Sequence, residues 1–342
     1  MPDKVYTALR GTRAATAKSA TFWIMSTPGA RQGFFYDLWT AADAEGYWKR
    51  VHVSAVGPGR VTPEFLEEER RQMHADDFAR EYLAEFGDTR TTLFRDADIR
   101  AAMRREVPVL GRPGQGRQMG MPVLFRDGTA LPPTGFFLAL DLGQSPDHTA
   151  LVVIEHKLIN LQRRDPVYFT WDHEMRLRVR WMELFACDTP YTSIAPVLGR
   201  LLTEPEMEGC AQVVVDATGV GRAFYDHLRA EFRKQRVAVA GVQITGGSAV
   251  GGTGGLVNIP KEEMVLNLET LLRERVLEIA AGCPHLDELV RQMHAFERIR
   301  MPGGRFSYTG KGAGADDLVM ALAMGVSYAY HRYAAAFRRR VG

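Results

Sequence analysis

Apolar positions along this chain fall into short runs bounded by glycine, proline and acidic residues. Between the runs lie stretches whose apolar residues recur at helical spacing. That alternation is the pattern of an α/β fold. The clearest run is Phe136 to Leu140, flanked by Pro132, Pro133 and Gly135, and it reads as a buried strand. It ends on Asp141. A polar turn with Gly143 and Asp147 follows, and a second apolar run, Ala150 to Ile154, reads as the antiparallel return strand. A turn of this length can fold its tip back over the strand end and bring Asp147 near Asp141.

The same pattern continues downstream. Arg176 to Cys187 reads as a strand and Thr192 to Leu202 as a helix. Gln212 to Val215 is a wholly apolar strand ending on Asp216, after which the DATGVG turn leads into a helix, Arg222 to Gln235. Val237 to Ile244 is a further strand, and Thr245 to Gly255 a glycine-rich loop without dinucleotide-binding spacing. Lys261 to Arg275 and Leu286 to Phe296 are helical, and Arg305 to Tyr308 is a short strand. The last helix opens on Asp316 and Asp317. Upstream, Thr21 to Met25 and Trp48 to Ser54 read as strands, and Phe34 to Ala42 as a helix. Thr62-Pro63-Glu64 starts another helix, with a hydroxyl cap and a proline at the first position, and Asp76 to Phe86 forms the next. Residues 106–134 are rich in arginine, glycine and proline without periodicity, so they read as a linker between a region over 1–105 and a domain over 135–342.

Composition narrows the classes. The chain has 342 residues, 46% of them hydrophobic, which supports sizeable cores. A formal net charge of +2 rules out a strong global field toward nucleic acid. Cys187, Cys210 and Cys283 lack metal-ligand spacing and read as buried thiols in a reducing compartment. The N-terminus lacks a signal-peptide pattern, and no apolar run approaches the ~20 residues of a membrane span. These features lead us to expect a cytoplasmic protein.

The chemistry is concentrated in acidic residues. Asp141, Asp216 and the pair Asp316-Asp317 come from two strand ends and one helix start, positions that an α/β sheet gathers on one edge. Converging carboxylates repel unless cations lie between them. An oxygen-rich set of this kind suits Mg²⁺ or Mn²⁺. Two such ions ~3.5–4 Å apart activate a water and stabilise a leaving oxygen in phosphodiester cleavage. The turn through Gly219 and Gly221 would put bare amides beside Asp216, a seat for a phosphate. Each feature also has a plain structural reading: Asp316 as an N-cap, Asp216 with its glycines as a strand-to-helix turn, Asp147 as a turn residue, Lys261 as a solvated first-turn lysine.

LALDLGQSPDHTALVVI, VVVDATGVG, the NIPK stretch Asn258 to Lys261 and ADDLVMALAMG together resemble the large terminase subunit of tailed bacteriophages, the DNA-packaging motor. The resemblance places residues 135–342 on its C-terminal nuclease domain, an RNase H-like mixed sheet flanked by helices. It implies a metal-dependent endonuclease for double-stranded viral DNA. Asp141, Asp216 and Asp317 would be catalytic metal ligands, with Asp316 and Asp147 auxiliary. Lys261 would contact a phosphate or the metal site, and the basic end Arg338, Arg339 and Arg340 would touch DNA backbone. The cofactor implied is Mg²⁺ or Mn²⁺, at a two-metal site. The partners implied are double-stranded DNA, the portal protein and the small terminase subunit. The family often has a histidine before the paired aspartates; here the residue is Ala315.

ATFWIMSTPG, GFFYDLW and FAREYLAEFGD resemble the last part of the packaging ATPase domain. GTRAATAKSA does not complete a phosphate-binding loop, because Thr16 stands where the second glycine belongs and Ala17 where the lysine belongs. The expectation is an ATPase remnant over 1–105 without ATP hydrolysis, from a truncated or split terminase that works with a separate ATPase half. Two other readings are an actin-like or sugar-kinase ATPase, whose fold also begins with D-x-G on a hairpin, and a non-catalytic motor fragment.

Overall fold

The computed structural model describes residues 23–29, 34–41, 48–57, 61–73, 75–87, 90–111, 121–125, 130–143, 147–164, 171–219, 221–246, 250–252, 255–301, 305–310 and 316–333. The expectations on residues 1–22, Ala315 and Arg338 to Arg340 lie outside these. The chain divides into two compact units, Met1–Thr91 with Arg298–Ser307, and Thr92–Glu297 with Tyr308–Gly342.

Among the described residues the first unit holds three short helices, α1 (Phe34–Thr40), α2 (Pro63–Gln72) and α3 (Ala75–Tyr82). The start of α2 follows its sequence signature: the Thr62 hydroxyl accepts the Phe65 N–H at 3.3 Å and Pro63 takes the first helical position. Phe35, Tyr36 and Trp39 ring Phe86, with centroids 5.7, 5.1 and 6.4 Å away. The expected strands at Trp23 to Met25 and Trp48 to Ser54 do not form; these stretches belong to no β-ladder among the described residues. Trp23 and Met25 stay 77% and 87% exposed. An apolar run becomes a strand only where a neighbour accepts its ladder bonds.

The second unit is built on one eight-stranded sheet. Its elements in chain order are α4 (Asp96–Ala102), β1 (Met103–Arg104), a small hairpin of β2 (Val123–Leu124) and β3 (Ala130–Leu131), β4 (Thr134–Asp141), β5 (Ala150–Arg164), β6 (Trp171–Leu184), α5 (Tyr191–Leu202), β7 (Ala211–Asp216), α6 (Gly221–Phe232), β8 (Ala238–Thr245), β9 (Leu256–Pro260), α7 (Lys261–Arg273), β10 (Leu277–Ala280), α8 (Leu286–Ala295) and α9 (Asp317–Arg332). The strand order is β9-β8-β7-β4-β5-β6-β10-β1. Every neighbouring pair is parallel except those made by β5, which runs antiparallel to both β4 and β6. The fold is therefore mixed α/β, with helices against the sheet.

The pleat of β4 decides where the acidic edge faces. Successive strand residues point to opposite faces. Phe136, Leu138 and Leu140 belong to one core cluster with Ile194 and Leu198 of α5 and Phe224, Leu228 and Phe232 of α6. Phe137 and Ala139 face the other way, where Phe137 meets Tyr328 of α9 edge-on at 5.8 Å. Asp141 shares that parity. On β7, Val213 and Val215 join the α5/α6 cluster, whereas the Gln212 amide donates to the Tyr328 hydroxyl at 2.7 Å. Asp216 shares the parity of Gln212. Both carboxylates therefore lie toward α9, whose first residue is Asp317.

α9 is apolar nearly all round, and every residue from Asp317 to Ala329 is buried, as expected of a helix enclosed on all sides. Gly325 sets how near it comes to the sheet: a Cβ there would stand 2.6 Å from Ile154 Cδ1 and 2.7 Å from the Ala139 Cβ. On its other side the Ser327 hydroxyl donates to the Met264 carbonyl of α7 at 3.3 Å.

The chain before β4 is less of a linker than its composition suggests. Ile99 and Ala102 of α4 are buried, β1 extends the sheet beside β10, and Val107 and Leu110 are buried. The Leu110 N–H donates to the Arg180 carbonyl at 3.0 Å. Two apolar residues suffice to anchor this segment, and they are too few to register as a periodic pattern. None of the three cysteines is disulfide-bonded, but only Cys283 is buried; Cys187 and Cys210 are partly exposed, against expectation.

His156 of β5 carries a pH-dependent stability. It is 1% exposed, packs 4.7 Å from the Tyr333 ring and bonds the Pro132 carbonyl through Nε2, while Nδ1 has no hydrogen-bond partner among the described residues. Burial lowers its pKa to about 4. The unfolded chain therefore binds a proton that the folded chain refuses, and stability falls as pH drops from about 6.5 toward 4. Urea melts should lose about 2 kcal/mol between pH 7 and pH 5. In His156→Phe that part of the loss should vanish; an unchanged pH dependence would remove His156 as its source.

Candidate functional site

The site forms where β4 and β7 end side by side. Leu140 pairs with Val215, so Asp141 and Asp216 leave adjacent parallel strands at the same level. Asp141 is pushed well above the usual carboxylate range, first by burial and then by the charges of Asp216, Asp317 and Asp316, with Lys261 opposing. The charges of three carboxylates, from the end of β7 and the start of α9, thus bear on Asp141. Asp317 is 7% exposed, and its Oδ2 has no hydrogen-bond partner among the described residues. Burial, then Asp316 and Asp147, raise its pKa to about 6, against a bond from the His148 backbone. Asp216 is raised by burial and eased by Thr218, whose N–H donates to Asp216 Oδ1 at 2.8 Å.

The hairpin after β4 does fold its tip back. A Cβ on Gly143 would come within 2.3 Å of the His148 carbonyl carbon and 2.5 Å of the Asp147 oxygen, so only glycine admits this approach. The Gly143 N–H donates to Thr149 Oγ1 at 3.1 Å, and Tyr191 of α5 donates its hydroxyl to the Gly143 carbonyl at 3.3 Å. The charge of Asp147 bears on Asp317 and helps to raise its pKa. Asp147 itself is exposed.

Two further expectations change in detail. Asp316 is the residue before α9, but its side chain makes no cap hydrogen bond. Instead Asp316 Oδ2 accepts the Gly310 N–H at 3.3 Å and stands 3.6 Å from Lys261 Nζ. The turn after Asp216 is less open to a phosphate than expected. The Thr218 N–H goes to Asp216, the Gly221 N–H to the Thr218 carbonyl at 3.0 Å and the Arg222 N–H to the Gly219 carbonyl at 3.3 Å. Gly219, at φ +56°, is exposed. Gly221 serves packing, since a Cβ there would meet the Asp216 carbonyl oxygen at 2.2 Å.

Sequence reasoning passed over His148, Tyr191 and Gln292. Tyr191 and Gln292 lie outside the motifs and reach the site from helices whose positions the sequence does not state; His148 lies inside a motif, next to Asp147, and only the fold shows that its backbone bonds Asp317.

A hard divalent cation fits this donor set, which is all carboxylate oxygen and includes a buried oxygen without a partner among the described residues. As placed, no three His, Cys, Asp or Glu side chains among the described residues stand at coordinating distance from one point. Mutual repulsion would keep bare carboxylates apart.

Asp147→Asn tests the hairpin tip. Loss of an outer-shell group typically costs ~10–100-fold in metal affinity or activity. Divalent-cation binding by Asp147→Asn, followed as the rise in melting temperature across a Mn²⁺ titration, should weaken by that order. A wild-type midpoint would leave Asp147 as a turn residue alone.

No protein-family model and no curated protein matches the chain. Solved structures do. The large terminase of a thermophilic bacteriophage aligns with a TM-score of 0.50 at 12% identity, over 93% of this chain and 66% of its own length. The large terminase nuclease of the thermophilic phage G20c with bound magnesium aligns over 69% of this chain and 96% of its own, with a TM-score of 0.40 at 18% identity. The Thermus phage P74-26 large terminase nuclease domain aligns over 71% and 96%, with a TM-score of 0.39 at 15% identity. This chain thus spans 66% of the length of the first of these proteins. At such identities the likeness is one of fold: the chain carries the fold of a bacteriophage large terminase.

Proposed function

We propose that this chain is a divalent-metal-dependent endonuclease that cuts double-stranded DNA during phage genome packaging. Residues 135–342 would be the nuclease, and residues 1–105 resemble the last part of a packaging ATPase domain. One observation carries the reading: Asp141 and Asp216 end paired parallel strands on the face of α9, and the charges of Asp216, Asp317 and Asp316 all raise the proton affinity of the buried Asp141.

Asp141, Asp216 and Asp317 would hold Mg²⁺ or Mn²⁺, with Asp316 and Asp147 as further acceptors. Bound there, two such cations supply an activated water and stabilise the leaving oxygen. Asp141 and Asp216 sit on paired strands, which fixes their separation. Asp317 presents a buried oxygen from the first turn of an enclosed helix. Lys261, beside Asp316, offers a positive charge to the DNA phosphate that approaches this edge. Contacts of this kind read backbone and not base sequence, so cleavage should be weakly specific. The actin-like alternative requires a duplicated domain, whereas the second unit is built on one eight-stranded sheet. By the same resemblance, the portal protein and the small terminase subunit would be its partners.

Supercoiled plasmid is the test. The purified chain should nick or linearise it in Mn²⁺ or Mg²⁺ and leave it intact in EDTA. Asp141→Ala and Asp216→Ala should each abolish cleavage while far-UV circular dichroism stays unchanged. Full activity in either variant would overturn the assignment.

A further inference from the structure

The N-terminus of α9 is capped from outside. Aspartate is among the best N-cap residues, and its carboxylate normally accepts the N–H groups two or three positions on. For Asp316 those are Leu318 and Val319. Both already donate to another acceptor, Oε1 of Gln292 on α8, at 2.9 and 3.3 Å. Gln292 is fully buried. Its orientation is fixed from the other end, because its Nε2 donates to Glu288 Oε1 at 3.0 Å and Arg291 holds Glu288 at 2.9 Å. The amide can therefore present only its oxygen to α9.

We propose that Gln292 is a positioning residue of the acidic centre: by capping α9 it releases the Asp316 carboxylate from the cap and fixes the first turn that carries Asp317. The proposal rests on the nuclease reading. The cap is neutral, so it satisfies the helix amides without adding a fifth negative charge beside Asp141, Asp216, Asp316 and Asp317. Asp316 is then free to meet Gly310 and Lys261, as observed. Without Gln292, two buried N–H groups lose their acceptor. The nearest replacement is Asp316, which would have to abandon Lys261. Either the turn frays or the carboxylate withdraws, and cation binding weakens in both cases.

The test follows Mn²⁺ binding by the rise in melting temperature of the full chain without DNA, so it does not depend on cleavage. Gln292→Leu should still melt cooperatively without metal, but its Mn²⁺ midpoint should rise about 10–100-fold. Gln292→Glu, which keeps an oxygen acceptor at the same reach but adds the charge that the neutral cap avoids and sets it against Glu288, should fall between wild type and Gln292→Leu. If the leucine variant does not fold, Gln292→Asn, whose oxygen falls one methylene short, carries the same expectation. A wild-type midpoint in the leucine or asparagine variant would overturn the positioning role, as would a loss in Gln292→Glu equal to that in Gln292→Leu. A wild-type protein whose melting ignores Mn²⁺ would overturn the nuclease reading and the positioning role together, and it is told apart by flat titrations in every variant.

Discussion

Asp317→Asn should lose more than 100-fold in cleavage and yet melt higher than wild type without metal. Both effects have one cause. At neutral pH Asp317 holds a charge that the folded chain disfavours: its pKa is pushed up to about 6 by burial and by Asp316 and Asp147, and its Oδ2 meets no hydrogen-bond donor among the described residues. Asparagine removes the repulsion and keeps an oxygen for the His148 backbone bond. The metal-free gain should be about 1 kcal/mol, after discounting for solvent screening. A site whose residues serve function stores this kind of cost. Cleavage should suffer more than the ~10–100-fold of an outer-shell group, because the proposed role of the lost oxygen is that of a direct ligand. The check pairs a metal-free thermal melt with plasmid cleavage across a Mn²⁺ titration. A destabilised Asp317→Asn would mean that the carboxylate holds the fold and was not kept for a cation. Unchanged cleavage would remove Asp317 from the site.

The order of the second unit was legible because the strands that carry the site, β4 and β7, are apolar, short and punctuated. The run Phe136 to Leu140 forms β4, and the acidic residue closing it is the last of its strand. The helices from Thr192, Lys261 and Leu286 begin within one residue of where their patterns start. What failed was whatever depends on partners distant in sequence. β10 is only four residues long, and its apolar pattern does not separate it from the helix before it. β9 hides at the end of the glycine-rich loop, where it pairs parallel to β8 from Leu256 to Pro260. In the first unit the reverse error occurs: Trp23 to Met25 has strand-like residues and no ladder among the described residues.

For the site, sequence order alone named the acidic residues, since a carboxylate that ends an apolar run is conspicuous. Their mutual arrangement required the fold. Strand parity puts Asp141 and Asp216 on the face of α9, and parity cannot be assigned to a face until the helices are placed. The reading of Asp316 as an N-cap was reasonable from its position. It fails because Gln292, on a different helix, occupies the amides first. For Asp147, too, the fold decides: the close approach at Gly143 turns the hairpin tip back, and the charge of Asp147 bears on Asp317.

Arg180→Leu should be the most destabilising single change away from the site, by about 3–5 kcal/mol. The Arg180 side chain is 3% exposed and donates to Glu155 Oε2 at 2.6 Å, to Glu206 Oε2 at 2.7 Å and to the Pro108 carbonyl at 2.5 Å. It thereby ties β5, the turn after α5 and the segment after β1 at one buried point. Removing the guanidinium leaves Glu155, 5% exposed at its side chain, as an uncompensated buried charge. Replacing both partners is a different matter, because a buried pair often does little better than packed apolar groups. Arg180→Met with Glu155→Leu should therefore recover most of the loss, while Glu206, at 11% side-chain exposure, turns toward water. Arg180 packs 5.9 Å from the Phe136 ring, at the start of the strand that ends on Asp141, so the acidic edge should be untouched. Urea melts of the single and double variants measure the first effect, and plasmid cleavage below the melting transition measures the second. A double variant no more stable than Arg180→Leu would show that the arginine acts through its Pro108 contact and not through Glu155.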